Sequence, residues 1–449
     1  MAARRITLIA LVAITFFNAK CLSNLLPEKV KLPDHESNPQ KPLTDINNLS
    51  IEKRHIFRET SSGLSSHGAI TRKHRAPSTQ SHDVIFVIEQ RNMEELTSIL
   101  HDVSDPKSAN YGKHMTSMEI HDLTSNIDSH DQIATYLQGV GAKITQEEHK
   151  GEVITARASI EVWEKMFDTE FYVYAFEDNR VNDFTTASVS EIMFIRAEEY
   201  SVPVVLHEHI ASVLNTIEIP IIKNSRSQSS RIPLTTSAKS SKLLATSLLF
   251  DGYVTPQLVN NAYNIDSNVG HPRATQAAYA GFDQYFSPED VFAFQNEFNL
   301  PRQAVNRSIG GFSTSQAWCA NNLVSCVEGN LDLQYLIAIS NSPTTYYYTS
   351  LNSMGMWLQS FVNSINPPLI VSMSYTRDEN YVSKGEFNLF QVNAIKLGAL
   401  GLTLLVAAGD DGVSSPQARG NSRRCGYVPT FPGSCPYVTA VGSTQVRSV

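Results

Sequence analysis

The chain has 449 residues, 42% hydrophobic and 18% charged, enough for two or three domains with sizeable buried cores. Its 36 basic residues face 44 acidic ones, giving a net charge of -8 and a pI near 5.9. No broad basic face can emerge from that balance, so general nucleic-acid binding is excluded.

At the start of the chain, Arg4 and Arg5 precede an apolar run from Ile6 to Phe17. That run is shorter than the ~20 residues a bilayer span needs, so residues 1–23 read as a cleaved signal peptide, with no membrane span left afterwards. Residues 24–81 are polar, proline-bearing and aperiodic, and are expected to form a mobile leader. Order should begin near His82. The pattern predicts a strand over Asp83–Gln90, an amphipathic helix over Met93–Asp102, a turn at Asp105-Pro106 and a helix over Ser129–Gly139. It continues with a strand over Glu152–Ala158, a helix over Ser159–Phe167 and a strand over Glu170–Phe176. Such alternation indicates a small α+β domain spanning residues 82–214.

Residues 215–250 read as a cleavable connector. Lys223 to Ser247 is serine-rich, with five basic residues and no acidic one, too poor in apolar side chains to order itself and open to a processing protease. Beyond residue 251 the pattern changes to short, unbroken apolar runs at Gln276–Gly281, Leu369–Ser374, Leu402–Ala408 and Tyr437–Val441. Helical stretches such as Leu331–Ser340 and Glu386–Leu400 separate them. Runs without alternation suit strands buried on both faces, hence an α/β fold in residues 251–449: a mainly parallel sheet covered by helices. In such sheets the active site lies at the carboxyl ends of the strands.

Two loci there can carry chemistry. Glu328 and Asp332, four apart at a helix start, share one face. Two like charges held together cannot ionise independently, which suits general-base work in acid. The same spacing also suits dipole complementation on a solvated face. The second locus is the buried run from Leu404, ending in Gly409-Asp410, which sets a carboxyl at the rim of the sheet. Kept protonated it can donate to an oxyanion; otherwise it is a turn former.

Besides Cys21, the cysteines fall as two close couples, Cys319 with Cys326 and Cys425 with Cys435. Four thiols permit three connectivities, and local pairing is the simplest in an oxidising compartment; a zinc site is disfavoured by the lack of CxxC spacing or nearby histidine. Asn48 and Asn306 head glycosylation sequons. Of 13 histidines, all but His271 lie at or before His209. That distribution is either a solvated accident or a device by which acid charges the first domain and loosens it from the second.

Several peptides together resemble one family. They are Glu328-Gly-Asn-Leu-Asp332-Leu-Gln-Tyr-Leu, Ile370-Val-Ser-Met-Ser-Tyr375, Gly401-Leu-Thr-Leu-Leu-Val-Ala-Ala-Gly-Asp410-Asp-Gly, and Pro429-Thr-Phe-Pro-Gly-Ser-Cys-Pro-Tyr-Val-Thr-Ala-Val-Gly442. These are similar to the sedolisins, serine-carboxyl peptidases of subtilisin-like fold, and most to their tripeptidyl-peptidase 1 branch. Ser104-Asp-Pro-Lys-Ser-Ala-Asn-Tyr-Gly-Lys-His114 resembles the signature of the family's activation propeptide, implying a ferredoxin-like domain that inhibits its own enzyme. Thr255-Pro-Gln-Leu258 with Tyr263-Asn-Ile265 resembles the start of the mature enzyme, and the likeness covers about residues 82 to 446.

The resemblance implies an acid-acting zymogen, secreted or sent to a lysosome or vacuole, that cleaves peptides or proteins as a tripeptidyl-peptidase or endopeptidase. Glu328 matches the general base, Asp332 the carboxyl that orients it, and Asp410 the oxyanion donor; Ser374, Tyr375 and Thr376 match the segment lining the substrate cleft. Departures also follow. The family's Ser-Gly-Thr-Ser nucleophile motif does not occur, and its calcium site is expected beyond residue 449. The sheet is therefore expected to be incomplete at its C-terminal end, and the 449-residue chain inactive by itself. Ser443 occupies a glycine position of a different motif and is no substitute. Thr376 stands where glycine is usual, and Ala408 where serine is frequent. The competing expectation is a short, non-catalytic binder or inhibitor of a full-length relative. A conventional subtilisin fails because His271 lacks a His-Gly-Thr setting.

Overall fold

A computed structural model describes residues 55–61, 63–64, 69–148, 150–176, 192–220, 254–265, 270–281, 284–310, 314–348, 353–364, 366–414 and 426–444. The expected signal peptide, Cys21, Asn48, Cys425 and the connector beyond Pro220 lie outside them.

In chain order the first half runs β1 (His55–Thr60), β2 (Ile70–Arg75), β3 (Ser81–Ile88), α1 (Met93–Ser104), α2 (Ser117–Thr124), α3 (Ile127–Gly139) and β4 (Lys143–Glu148). It continues with β5 (Val153–Ser159), α4 (Ile160–Phe167), β6 (Phe171–Phe176), β7 (Ile192–Ala197), β8 (Glu199–Pro203) and β9 (Ile210–Leu214). The four strands β4-β5-β3-β9 form one antiparallel sheet. Strand, helices, two strands, helix, strand in that spatial order is the expected ferredoxin-like arrangement. Along β3, Val84, Phe86 and Ile88 face inward and meet Ile133 and Leu137 of α3 and Trp163 and Phe167 of α4 in one core. Ile85 and Val87, between them, turn to the opposite face of the sheet.

Order begins by His55, earlier than the expected His82, and part of the expected mobile leader is strand. β1 pairs with β8 and β2 with β6, in register from His55↔Pro203 and Ile70↔Phe176. These partners come from the far end of the domain, so no local period announces them. At the other end Ile217 and Ile219 are buried, so the ordered domain runs past Leu214 into the expected connector.

The second half runs α5 (Pro256–Ala262), β10 (Gln276–Ala280), α6 (Pro288–Glu297), β11 (Arg307–Ile309), α7 (Gln316–Asn321), α8 (Val327–Ser340), β12 (Thr344–Tyr348) and α9 (Met354–Val362). Then come β13 (Ile370–Met373), β14 (Arg377–Asp378), α10 (Lys384–Ala399), β15 (Thr403–Ala407), β16 (Thr430–Phe431) and β17 (Thr439–Val441). Six strands form one all-parallel sheet in the order β11-β12-β10-β13-β15-β17. Residues of β10 alternate between two cores. Ala277 and Tyr279 pack with Trp357 and Phe361 of α9 and Phe390 of α10, whereas Ala278 and Ala280 pack with Val291 of α6 and Leu333 and Ile337 of α8. That double cover explains the unbroken apolar runs in the sequence.

The outward face of the first-half sheet docks on α9 and α10. Val87, Val153 and Leu214 meet Met356 and Leu389, and Leu96, Leu100 and Ile120 meet Ile395 and Ala399. Two glycines allow the close approach. A Cβ at Gly385 would stand 2.8 Å from Ser212 Cβ, and one at Gly398 would stand 2.6 Å from Leu100 Cδ1.

Within the dock the Lys396 ammonium, fully buried, donates to Glu152 Oε1 and Gln90 Oε1, each at 2.8 Å. The Gln359 amide donates to the other Glu152 oxygen, and His121 Nδ1 lies 3.6 Å from Oε1. His101 lies near Tyr437 and His114 against Gly401, so two histidines face the second half directly. His82 does not; it sits in the first domain, where burial pushes its pKa down to about 4.

Candidate active site

α8 is fixed at its entry by a disulfide between Cys319 and Cys326, which ties α7 to the residue preceding the helix, as local pairing predicts. Of the other expected couple, Cys425 lies outside the described residues, and Cys435 is a buried thiol raised by burial to about 11. Gly329 lets α8 lie flush on its neighbours, since a Cβ there would stand 2.3 Å from the Tyr285 carbonyl oxygen.

Glu328 and Asp332 lie one turn apart at the start of α8, both partly buried, over the carboxyl ends of β13 and β15. Ser374, immediately after β13, donates from its hydroxyl to Asp332 Oδ1 at 2.7 Å. Burial raises the pKa of Glu328, and the nearby Asp410 charge raises it further. Burial, then the Glu328 charge, pushes Asp332 up to about 8. Glu328 thus lies within electrostatic reach of Asp410, and Asp332 within reach of Glu328, and the helix-dipole reading on a solvated face does not describe the pair on α8.

Asp410 is exposed, one residue after Gly409, whose φ of +93° turns the chain off β15 at the rim of the sheet. Thr430 Oγ1 holds that turn by donating to the Ala408 carbonyl at 2.9 Å. Thr376 faces the same turn, its Oγ1 3.7 Å from where a Gly409 Cβ would stand. Tyr375 packs edge-on against Tyr279 at 5.2 Å, and its phenol is held protonated by burial and by the adjacent Asp332 and Glu328 charges. Asp332 thus has a hydroxyl donor on the segment expected only to line the cleft, a contact that no sequence spacing announces.

Arg377 was also not legible in the sequence. Its guanidinium lies beside Glu386, and its Nη1 donates at 3.2 Å to the Ile219 carbonyl at the end of the first domain. Among the described residues no group of three or more His, Cys, Asp or Glu side chains is placed to hold a metal, so the calcium expectation attaches to none of them. Likewise, no described helix is long and apolar enough to cross a membrane.

A stability test follows from Asp332. Because its folded pKa exceeds the usual 3.8, the folded state holds a proton that the unfolded chain releases, and stability falls as pH rises from about 4 through about 8. Asp332→Asn should remove that slope. At pH 8 the variant should exceed the parent by roughly 1–3 kcal/mol, while the two converge near pH 4, as read from urea unfolding at both values. Equal slopes for both proteins would mean that Asp332 ionises freely.

Residues 69–219 match the family described as the pro-kumamolisin activation domain. Physarolisin from Physarum polycephalum is 29% identical over 388 residues, covering 81% of this chain and 60% of physarolisin. Human tripeptidyl-peptidase 1 is 28% identical over 389 residues, covering 83% of this chain and 63% of the relative. Tripeptidyl-peptidase sed4 of Aspergillus fumigatus is 25% identical over 395 residues, covering 80% and 61%. The chain thus spans a little over three-fifths of the length of these curated relatives. The activation domain and these relatives support classing the chain with the sedolisin family of serine-carboxyl peptidases, on its tripeptidyl-peptidase 1-like side.

Proposed function

We propose that the chain is the zymogen portion of an acid serine-type peptidase, exported to a secretory or lysosomal compartment, that hydrolyses peptide bonds through a serine ester. The observation that carries the reading is the gathering of Glu328, Asp332 and Asp410 at the carboxyl end of a parallel sheet, with carboxyl pKa values raised at the first two.

Of the pair, Asp332 has the more firmly held proton and stays neutral where Glu328 ionises, leaving Glu328 as the base. Glu328 removes the nucleophile's hydroxyl proton as the serine oxygen attacks the scissile carbonyl carbon, then returns that proton to the departing amine. Water repeats the attack on the ester and releases the acid product. Asp410 in its protonated form donates to the oxyanion. A carboxylate in place of an imidazole as the base moves the working range toward acid. The Cys319–Cys326 bridge supports an oxidising compartment. Calcium remains part of the reading at the level of the family, with no residue of this chain assigned to it.

The mechanism needs a serine in the Ser-Gly-Thr-Ser setting, which the 449 residues do not contain. The test is therefore made on protein carried through that motif, assayed at about pH 3 to 6 with one unblocked tripeptide reporter and one N-terminally blocked peptide. Cleavage of the first alone is expected of a tripeptidyl-peptidase, and cleavage of the second of an endopeptidase. Cleavage of neither would overturn the reading in favour of a binder.

A further inference from the structure

We propose that Asn306 carries an N-linked glycan, and that this glycan guards the open edge of the parallel sheet. Asn306 is exposed and is followed by exposed Arg307 and Ser308, so the Asn-Arg-Ser acceptor sequence lies wholly on the surface. Its backbone N–H is committed, donating to the Thr344 carbonyl at 2.8 Å. Its carboxamide has no hydrogen-bond partner among the described residues, whereas those of Asn321, Asn322, Asn330 and Asn393 are all engaged. Nothing internal is lost when the Asn306 amide is conjugated.

The position has a structural consequence. β11 follows at once and, among the described residues, is the end strand of the sheet order, bonded to β12 alone with Arg307↔Thr345, Ser308↔Tyr346 and Ile309↔Tyr347 in register. Ser308 stands beside Tyr346, a member of the core that holds Phe286 and Leu333, yet at this end of the sheet both Asn306 and Ser308 are exposed. A free edge is a template for pairing with another chain, and Arg307 is the one charge on this short strand. A bulky, hydrated oligosaccharide on the residue just before the strand blocks such pairing more fully than one arginine does.

The chemistry is that of the secretory pathway. Asn306 Nδ2 attacks the anomeric carbon of an oligosaccharide carried on a lipid pyrophosphate. The carbon–oxygen bond to the pyrophosphate breaks, the Nδ2–carbon bond forms, and one Nδ2 proton leaves with the lipid pyrophosphate. The inference rests on the export part of the proposed function but is tested apart from it.

The 449-residue chain is produced in animal cells behind a foreign signal peptide, with a tag that bears its own sequon to report entry. Endoglycosidase mobility shifts and mass spectrometry of the Asn306 peptide are then read from whole lysate. Asn306→Gln and Ser308→Ala are each expected to remove one glycan-sized step, while Ser308→Thr keeps it. An unmodified Asn306 peptide from chain whose tag is glycosylated overturns the site. If the foreign signal gives an occupied Asn306 and the native leader gives no glycan, the export reading fails while the site stands.

For the guard, Asn306→Gln should raise the high-molecular-weight fraction on size exclusion several-fold. Ser308→Lys, which also lacks the glycan but sets a charge on the edge, should stay near the parent. A rise shared by both variants, or absent from Asn306→Gln, overturns that role.

Discussion

Lys396→Ala is expected to lower the unfolding free energy by about 3–5 kcal/mol, the usual cost of stranding one member of a buried ion pair. Glu152 would keep the Gln359 amide but lose the buried Lys396 ammonium, inside a dock lined by Val87, Leu214, Met356 and Leu389. A Lys396→Met, Glu152→Met double variant, apolar and of similar bulk, should come within about 1 kcal/mol of the parent or exceed it. Urea unfolding at neutral pH separates the cases. A single variant as stable as the parent would show that the two halves do not meet through this pair.

Acid acts on the first domain at two separate places. A proton on Glu152 leaves the Lys396 ammonium buried without its counter-charge. Independently, His82 has a folded pKa of about 4 against an ordinary 6.5. Its contribution to stability is full above about 6.5 and is lost as pH falls toward about 4, because the unfolded chain takes up a proton that the folded domain refuses. Loosening of the first domain in acid therefore draws on a buried histidine that resists charge and on a cross-domain carboxylate, rather than on a generally histidine-rich surface.

The second large effect concerns the base. In protein carried through the nucleophile motif, Glu328→Gln should lower kcat about 10²–10⁴-fold, with KM nearly unchanged, because the amide cannot take the serine proton. Asp410→Asn, which keeps a donor but alters its strength and charge, should cost less, and on its own variant the acid limb set by Glu328 should persist. Ser374→Ala should move the pH profile of kcat, since the hydroxyl that donates to Asp332 is removed while the base stays. Full activity in Glu328→Gln would take the base role away from that residue.

Much of this could be read in the sequence where neighbours along the chain decide the structure. The strands at β3, β5, β6, β10, β13 and β15 and the helices α1, α3, α4 and α10 fall within a few residues of the expected ranges. Short-range period and the Cys319–Cys326 spacing carry that information. β1, β2 and β8 were not legible because each is held by a partner far along the chain. β12 was missed because Thr-Thr-Tyr-Tyr-Tyr hides a buried strand behind hydroxyls, and the Tyr346 hydroxyl is in fact satisfied by the Gln284 carbonyl at 2.6 Å. At the site the carboxyls could be named in advance. What gathers them, the Ser374 hydroxyl and the glycine under Tyr285, depends on crossings of the fold that one sequence does not display.

The notched helix α10, with Gly385 and Gly398 received by Ser212 and Leu100, has a bearing on biosynthesis. Every residue of the receiving sheet leaves the ribosome well before Lys384 does, and domains generally fold as units from the N-terminus during synthesis. The nascent helix thus emerges beside a finished mould, and the crossover into β15 is threaded while that mould is in place. The second half expressed alone would have to shape α10 without it, so supplying the first domain as a separate chain should raise the yield of correctly folded material.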